Sequence, residues 1–359
     1  MKLYYGTTAD PDVLFRLQHQ ISDPFFYIES EAGRRVFLNG LEIEAFTSQH
    51  TGDVVAIPTS ALAGEAVSEQ ALEVIGTYGD GSAVEVTERF PLSLADELRS
   101  SGVVLEVTNG LAHERLRKTT AEVEAVAANM QVTAGAFARV EEMLSCAVVN
   151  DTVLFLDDTE LTSEYIKRQL THYFVDHDMD CPHNMIVSCG VDAAAPHHEG
   201  VGVLRAHETI IVDLFPRSLT NFYYADMTRT YVKGQPSETA ASMHAAVAAS
   251  QQAALASLKP GVPYADVYQV SADVIAEHGF DVGDTGYVHS LGHGLGIDLH
   301  EAPRLDPNSE GVLQIGEVVT VEPGLYYPEH GGVRIEDTVV ITENGYQNLT
   351  NYQSDWIIT

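Results

Sequence analysis

Basic residues are scarce in this sequence. Nineteen lysines and arginines stand against 52 aspartates and glutamates in 359 residues, for a formal net charge of −33, and arginine outnumbers lysine. Phosphate-rich partners would be repelled, which argues against nucleic acid and anionic membrane. The excess reads as a solvated acidic surface of the halophilic kind, tolerated where salt screens it. Cysteine is scarce too. Cys146, Cys181 and Cys189 make an odd set in a long chain, which does not read as a disulfide framework and fits a reducing cytoplasm. Cys181, His183 and Cys189 lack a fourth ligand at a spacing that would suit structural zinc. Long apolar runs are missing: none approaches the roughly 18 residues a membrane-spanning helix needs, and the segment from Met1 to Val13 has no apolar stretch of the export type. Low-complexity and strongly periodic segments are missing as well.

What is present is enough chain for two cores. Residues 1–113 alternate short helices with strand-like Phe25 to Ser30, Arg35 to Asn39, Val54 to Pro58 and Val103 to Asn109, the pattern of a small α/β sheet domain. Residues 114–359 read as a larger α+β domain. It opens on a long helix signalled by the capping-box spacing of Thr119 and Glu122. A second helix is expected from Ser163 to Asp178. A third, alanine-rich, runs from Ser237 to Lys259, where Pro260-Gly261 stops it, and a fourth ends at Gly279.

The chemistry concentrates in HSLGHGLGIDLHEAP, His289 to Pro303, which holds His289, His293 and His300. Gly292, Gly294 and Gly296 leave the main chain bare around His293, as if for clearance at a site where main chain, metal and ligand come close. Two common explanations fail. A zinc-protease HExxH beginning at His300 would need histidine at Arg304, and a dinucleotide GxGxxG would need glycine at Ile297. Acidic partners flank the stretch: Asp213 in TIIVDLFP, Asp226 in YYADMTRTYV, Glu322 in EVVTVEPGLYYP and Glu336 in GGVRIEDTVVIT, all in segments that read as strands. A carboxylate inside such an apolar run is costly unless paired or metal-bound. One imidazole with four carboxylates is a hard, oxygen-rich set that suits a pair of Mn²⁺, Co²⁺, Fe²⁺ or Zn²⁺ ions, whose charge would balance the four acids.

In that order, with ADMTRT, GHGLG, HEAP, VEPGLY and GVRIED around them, these residues resemble the methionine aminopeptidase, prolidase and aminopeptidase P family of pita-bread metallopeptidases. The resemblance implies a pita-bread catalytic domain behind a creatinase-like N-terminal domain that walls the active site and supports a homodimer. It implies two divalent ions per chain, Mn²⁺ or Co²⁺ foremost, held by Asp213, Asp226, His293, Glu322 and Glu336, with Asp226 and Glu336 bridging. It also implies a metal-bridging hydroxide as nucleophile, Glu322 as its proton acceptor, and His197 and His300 on the peptide or tetrahedral intermediate, with His289 and Arg304 toward the substrate. Arg334, two residues before Glu336, is expected on the same strand face, where its guanidinium would steady the ligand carboxylates. One departure stands out: the stretch from Asp213 to Asp226 is longer than usual, which reads as a longer hairpin turn. The expected substrate is a small peptide with proline second, a dipeptide by preference because Arg304 could grip its free carboxylate. Longer Xaa-Pro peptides, creatinase-like chemistry and a metal-free binding protein are the alternatives, the last two disfavoured by the intact ligand set.

Overall fold

The computed structural model describes residues 1–50 and 52–359, which form two compact units, Met1–Arg115 and Leu116–Thr359. The first is built on a six-stranded mixed sheet. Strand Lys2–Gly6 pairs antiparallel with Phe25–Ser30, which pairs antiparallel with Gly33–Leu38; Val54–Pro58 extends this edge in parallel, and Val84–Thr87 and Leu105–Thr108 extend the other edge in parallel. Aromatic and β-branched residues make both faces apolar. Leu3, Phe26, Ile28 and Phe37 pack into one cluster and Tyr4, Tyr27, Val36 and Leu38 into another, so helices cover the sheet on both sides.

The second unit is built on two antiparallel strand systems with helices packed against them. Helix Thr120–Cys146 begins as the spacing predicts: Glu122 N donates to Thr119 Oγ1 at 3.4 Å, and Thr119 N donates to Glu122 Oε2 at 2.7 Å. Ser237 likewise caps helix Glu238–Ser257, accepting from Ala240 N at 3.1 Å. Two antiparallel systems carry the site. In the first, Ile186–Cys189, Ile210–Leu214 and Met227–Lys233 pair in order, and Ile357–Ile358 adds to the last in parallel. In the second, Glu301–Leu305, Gly292–Gly294, Val318–Val321, Asp337–Thr342 and Gly345–Asn348 pair in order. Hairpin Gly324–Tyr327 and Gly331–Arg334 adds two short strands. Helices Glu238–Ser257 and Tyr264–Glu277 share a core with Val319, Val321, Val333 and Val339. Leu214 pairs with Met227 across the long turn between the first two acids, so that turn closes a hairpin. No helix among the described residues is long and apolar enough to cross a membrane.

Candidate metal centre

The four acids were expected inside strands, and only Asp213 is. Asp226 immediately precedes strand Met227–Lys233, Glu322 immediately follows Val318–Val321, and Glu336 sits in the break between Gly331–Arg334 and Asp337–Thr342. The ends are better places for ligands. There the ladder no longer dictates alternation, so carboxylates from strands of different systems can turn toward one point. His293 is the middle residue of a three-residue strand whose register shifts at Gly294.

Gly292 and Gly294 do provide clearance, but from main chain, while Gly296 makes room for the Glu301 side chain. A Cβ at Gly292 would lie 2.0 Å from Thr320 O, and one at Gly294 would lie 2.1 Å from Ala302 O. The crowding comes from the flanking strands, so the glycines let the histidine strand sink between its neighbours.

Asp226, His293 and Glu336 bring ligand atoms within 4.8 Å of one another. His293 Nε2 lies 3.6 Å from Asp226 Oδ2 and 3.4 Å from Glu322 Oε1, while Nδ1 lies 3.1 Å from Gly294 O. The Gly294 carbonyl can only accept, so Nδ1 carries the proton and Nε2 turns a bare lone pair toward two carboxylates. Asp213 adds a fourth acid: Oδ2 accepts from Arg334 Nη2 at 2.7 Å, and Oδ1 is buried with no hydrogen-bond partner. Lone pairs converging without donors are repulsive, and a divalent cation is the ligand that resolves this. The residues therefore fit the implied metal site. Burial pushes the carboxyl of Asp226 well above the usual range, with Asp213 and Glu322 adding to it. It does the same to Glu336, helped by Asp226, and raises Glu322 to about 8 against the pull of Arg334. Burial lowers His293 to about 3, with His300 contributing.

Three threonines that sequence reasoning does not find hold these ligands. Thr228 Oγ1 donates to Glu336 Oε2 at 2.8 Å, Thr338 Oγ1 donates to Asp226 O at 2.8 Å, and Thr320 Oγ1 accepts from His293 N at 3.0 Å while donating to Glu322 Oε1 at 3.4 Å. The only signal for them is a threonine two residues from Asp226, Glu322 and Glu336, and threonine in strands is too common to single them out.

Arg334 is buried and bonds Asp213, as expected for an arginine that steadies a ligand carboxylate. It also donates to Tyr326 OH at 2.7 Å, and that hydroxyl lies 2.9 Å from His289 Nε2. Burial works against its charge, but Tyr326, Asp213 and Glu322 hold it firmly protonated. His289 is lowered to about 4 by burial and by Arg334. A chain thus runs from Asp213 through Arg334 and Tyr326 to His289. His300 stacks edge-on against His293 with ring centres 4.3 Å apart, is exposed at its outer side, and is lowered by burial of the rest of its ring. His197 is exposed, beside Pro196, whose carbonyl accepts from Arg334 Nη1 at 3.4 Å. Arg304 pairs across the ladder with His293, but its side chain is 67% exposed and its Nε lies 3.3 Å from Asp306 Oδ2.

Residues 124–343 match the model of metallopeptidase family M24. The chain is 40% identical over 173 residues to an Xaa-Pro dipeptidase of Pyrococcus furiosus, a match covering 47% of this chain and 48% of that one, so it spans about half the length of the curated relatives it matches. In three dimensions it is similar to the prolidase from Pyrococcus furiosus, with a TM-score of 0.83, 24% identity, and 98% and 96% of the two chains covered. It is as similar to the X-Pro aminopeptidase from Thermotoga maritima, with a TM-score of 0.82, 22% identity, and 99% and 97% covered. With the ligand cluster, the pita-bread fold and a family match over most of the catalytic unit in agreement, the chain belongs to metallopeptidase family M24.

Proposed function

We propose that this chain is a two-metal peptidase that hydrolyses Xaa-Pro bonds, with Xaa-Pro dipeptides as its main substrates. The observation that carries the reading is the convergence of more acceptors than donors: the Nε2 lone pair of His293, the unpartnered Oδ1 of Asp213, and the carboxylates of Asp226, Glu322 and Glu336, of which the nearby threonines satisfy one oxygen each on Glu322 and Glu336. When bound, two divalent ions, Mn²⁺ or Co²⁺ foremost, would polarise the substrate carbonyl and make a hydroxide available near neutral pH. Asp213, Asp226, His293, Glu322 and Glu336 would hold them. Glu322, with Oε1 3.4 Å from His293 Nε2 at the edge of the cluster, would accept a proton from the nucleophile and return it within one turnover. His300 and His197, both exposed on one side, are placed to meet the peptide. His289, kept neutral and held by Ser290 O at Nδ1 (2.7 Å) and Tyr326 OH at Nε2 (2.9 Å), would line the substrate site without bringing charge.

Dipeptide preference rests on Arg304 gripping the free carboxylate with its planar fork. Its exposure and its Asp306 partner favour a second reading, an aminopeptidase acting on longer Xaa-Pro peptides. Metal content of the purified protein, followed by rates on Xaa-Pro dipeptides, longer Xaa-Pro peptides and Met-initiated peptides, tests both. About two ions per chain and fastest cleavage of dipeptides are expected. A protein that binds no divalent ion and cleaves none of the panel would sink the proposal.

A further inference from the structure

Arg229 lies on strand Met227–Lys233 with 7% of its surface exposed. Its Nη1 donates to two main-chain carbonyls from separate segments, Thr228 O at 2.8 Å and Glu336 O at 2.6 Å. Its Nη2 donates to Asp337 Oδ1 at 2.8 Å and to Tyr352 O at 2.7 Å. Thr228 O also accepts from Glu336 N at 3.1 Å. Glu336 is therefore gripped at its amide, its carbonyl and its carboxylate by Thr228 and Arg229, two and three residues after Asp226. Thr338, two residues after Glu336, returns the grip on Asp226 O.

Two carbonyls and one carboxylate buried against one another repel unless donors lie between them. A guanidinium supplies several in a rigid plane, whereas an ammonium offers three from a single point. The fourth acceptor, Tyr352 O, belongs to the end of the chain. That end is tied down on either side, by Tyr352 OH donating to Glu141 Oε1 at 2.8 Å and by Ile357 and Ile358 pairing with Val232 and Lys233.

We propose that Arg229 is a positioning residue for the metal pair, setting how the carboxylates of Asp226 and Glu336 meet, and that through Tyr352 it makes the C-terminal segment a structural part of the metal centre. The inference rests on the two-metal reading above and extends it to a residue that touches neither substrate nor ion.

The test uses full-length, metal-free protein titrated with Mn²⁺, reading affinities by calorimetry and ion–ion coupling by electron paramagnetic resonance. Arg229→Lys keeps the charge and loses the fork; Asp337→Asn weakens the grip while leaving the other three hydrogen bonds. For Arg229→Lys, affinity for the second equivalent of Mn²⁺ is expected to fall about tenfold or more, with the exchange-coupled signal giving way to that of uncoupled ions. Asp337→Asn is expected to shift both in the same direction by less, and it carries the test if Arg229→Lys does not fold. A purely architectural arginine would lower the melting temperature of the metal-free variants and leave both metal readouts at wild-type values, which would overturn the proposal. Absence of a coupled pair in wild type would instead overturn the two-metal reading and this proposal with it.

Discussion

The two units of this protein treat charge in different ways. Among the described residues of Met1–Arg115, Asp12 is the one buried charged side chain, and it is fully employed: Oδ2 accepts from Leu111 N at 2.8 Å and Oδ1 from Arg115 Nε at 2.9 Å. Leu116–Thr359 buries nine, with Asp213, Asp226, Arg229, Arg334, Glu336 and Asp337 around one centre. Overall charge does not separate the units. There are 18 acidic against 7 basic residues in the first and 34 against 12 in the second, an excess that follows length. Surface charge is thus spread along the whole chain, whereas buried charge gathers around the candidate metal centre, where it is costly unless paired or metal-bound.

Removing divalent ions gives the sharpest break between the units. Chelation is expected to abolish peptidase activity, and Mn²⁺ or Co²⁺ to restore it, because the proposed hydroxide depends on the ions to exist near neutral pH. His293→Ala is expected to lose both bound metal and rate. His300→Ala is expected to keep metal and lose about 10²-fold or more in rate, the scale of a lost proton-transfer or oxyanion partner. Equal metal loss in both variants would mean the two roles are confused. Salt makes the complementary test, since the acid excess is spread over both units. Transfer from molar to low salt is expected to unfold the whole chain through self-repulsion. Hydrogen exchange would report protection lost in both units together, and a melting temperature indifferent to salt would refute the halophilic reading.

Much of this was legible beforehand, for reasons that can be located. Helix caps are local chemistry, so the start at Thr119 could be read from its capping-box spacing and that at Ser237 from a serine after Pro236 ahead of an alanine-rich run. The candidate ligands could be singled out because an acid in an apolar run needs an explanation. Strands Lys2–Gly6 and Val84–Thr87, adjacent inside the N-terminal sheet, escape such a reading. They are short, and what fixes them is pairing with residues distant in sequence, which period-two alternation cannot reveal over four or five residues. Tyr326 and Arg229 escape for a related reason. Each is an ordinary strand residue whose role comes from what lies across a turn or in another sheet: Arg334 and His289 for the first, Glu336 and Tyr352 for the second.

A smaller effect would sharpen the comparison at the substrate end. Arg304→Ala is expected to raise KM for Xaa-Pro dipeptides about tenfold while leaving Xaa-Pro tripeptides nearly unchanged, since only the dipeptide's carboxylate reaches that position. If wild type cleaves longer peptides faster and the substitution changes both alike, the exposed Arg304–Asp306 pair is a surface feature and the aminopeptidase reading takes over.

The smallest expected effect is on stability against pH, and its sign depends on metal. In the metal-free protein the folded pKa of Glu322, about 8, lies above its ordinary value of 4.5, and Asp226 and Glu336 are raised in the same direction. A carboxyl raised on folding favours the folded state below its unfolded pKa and loses that contribution as pH rises through the folded one. His289 and His293, lowered to about 4 and about 3, act oppositely, because the unfolded chain takes up protons there as pH falls below about 6.5. Above pH 6.5 the histidines, His244 and His300 among them, become mostly neutral in both states as pH rises, and the carboxyls come to dominate. Between pH 6.5 and 8, metal-free stability is therefore expected to fall with pH, by at most about 1.4 kcal/mol per unit for each protonated carboxyl. Glu322→Gln should flatten that slope. Metal must displace the same protons, so with Mn²⁺ present the slope is expected to reverse and stability to rise over this window. Melting temperatures at pH 6.5, 7.25 and 8, with chelator and with Mn²⁺, read both signs. A slope unchanged by metal would mean that the buried acids are not its ligands.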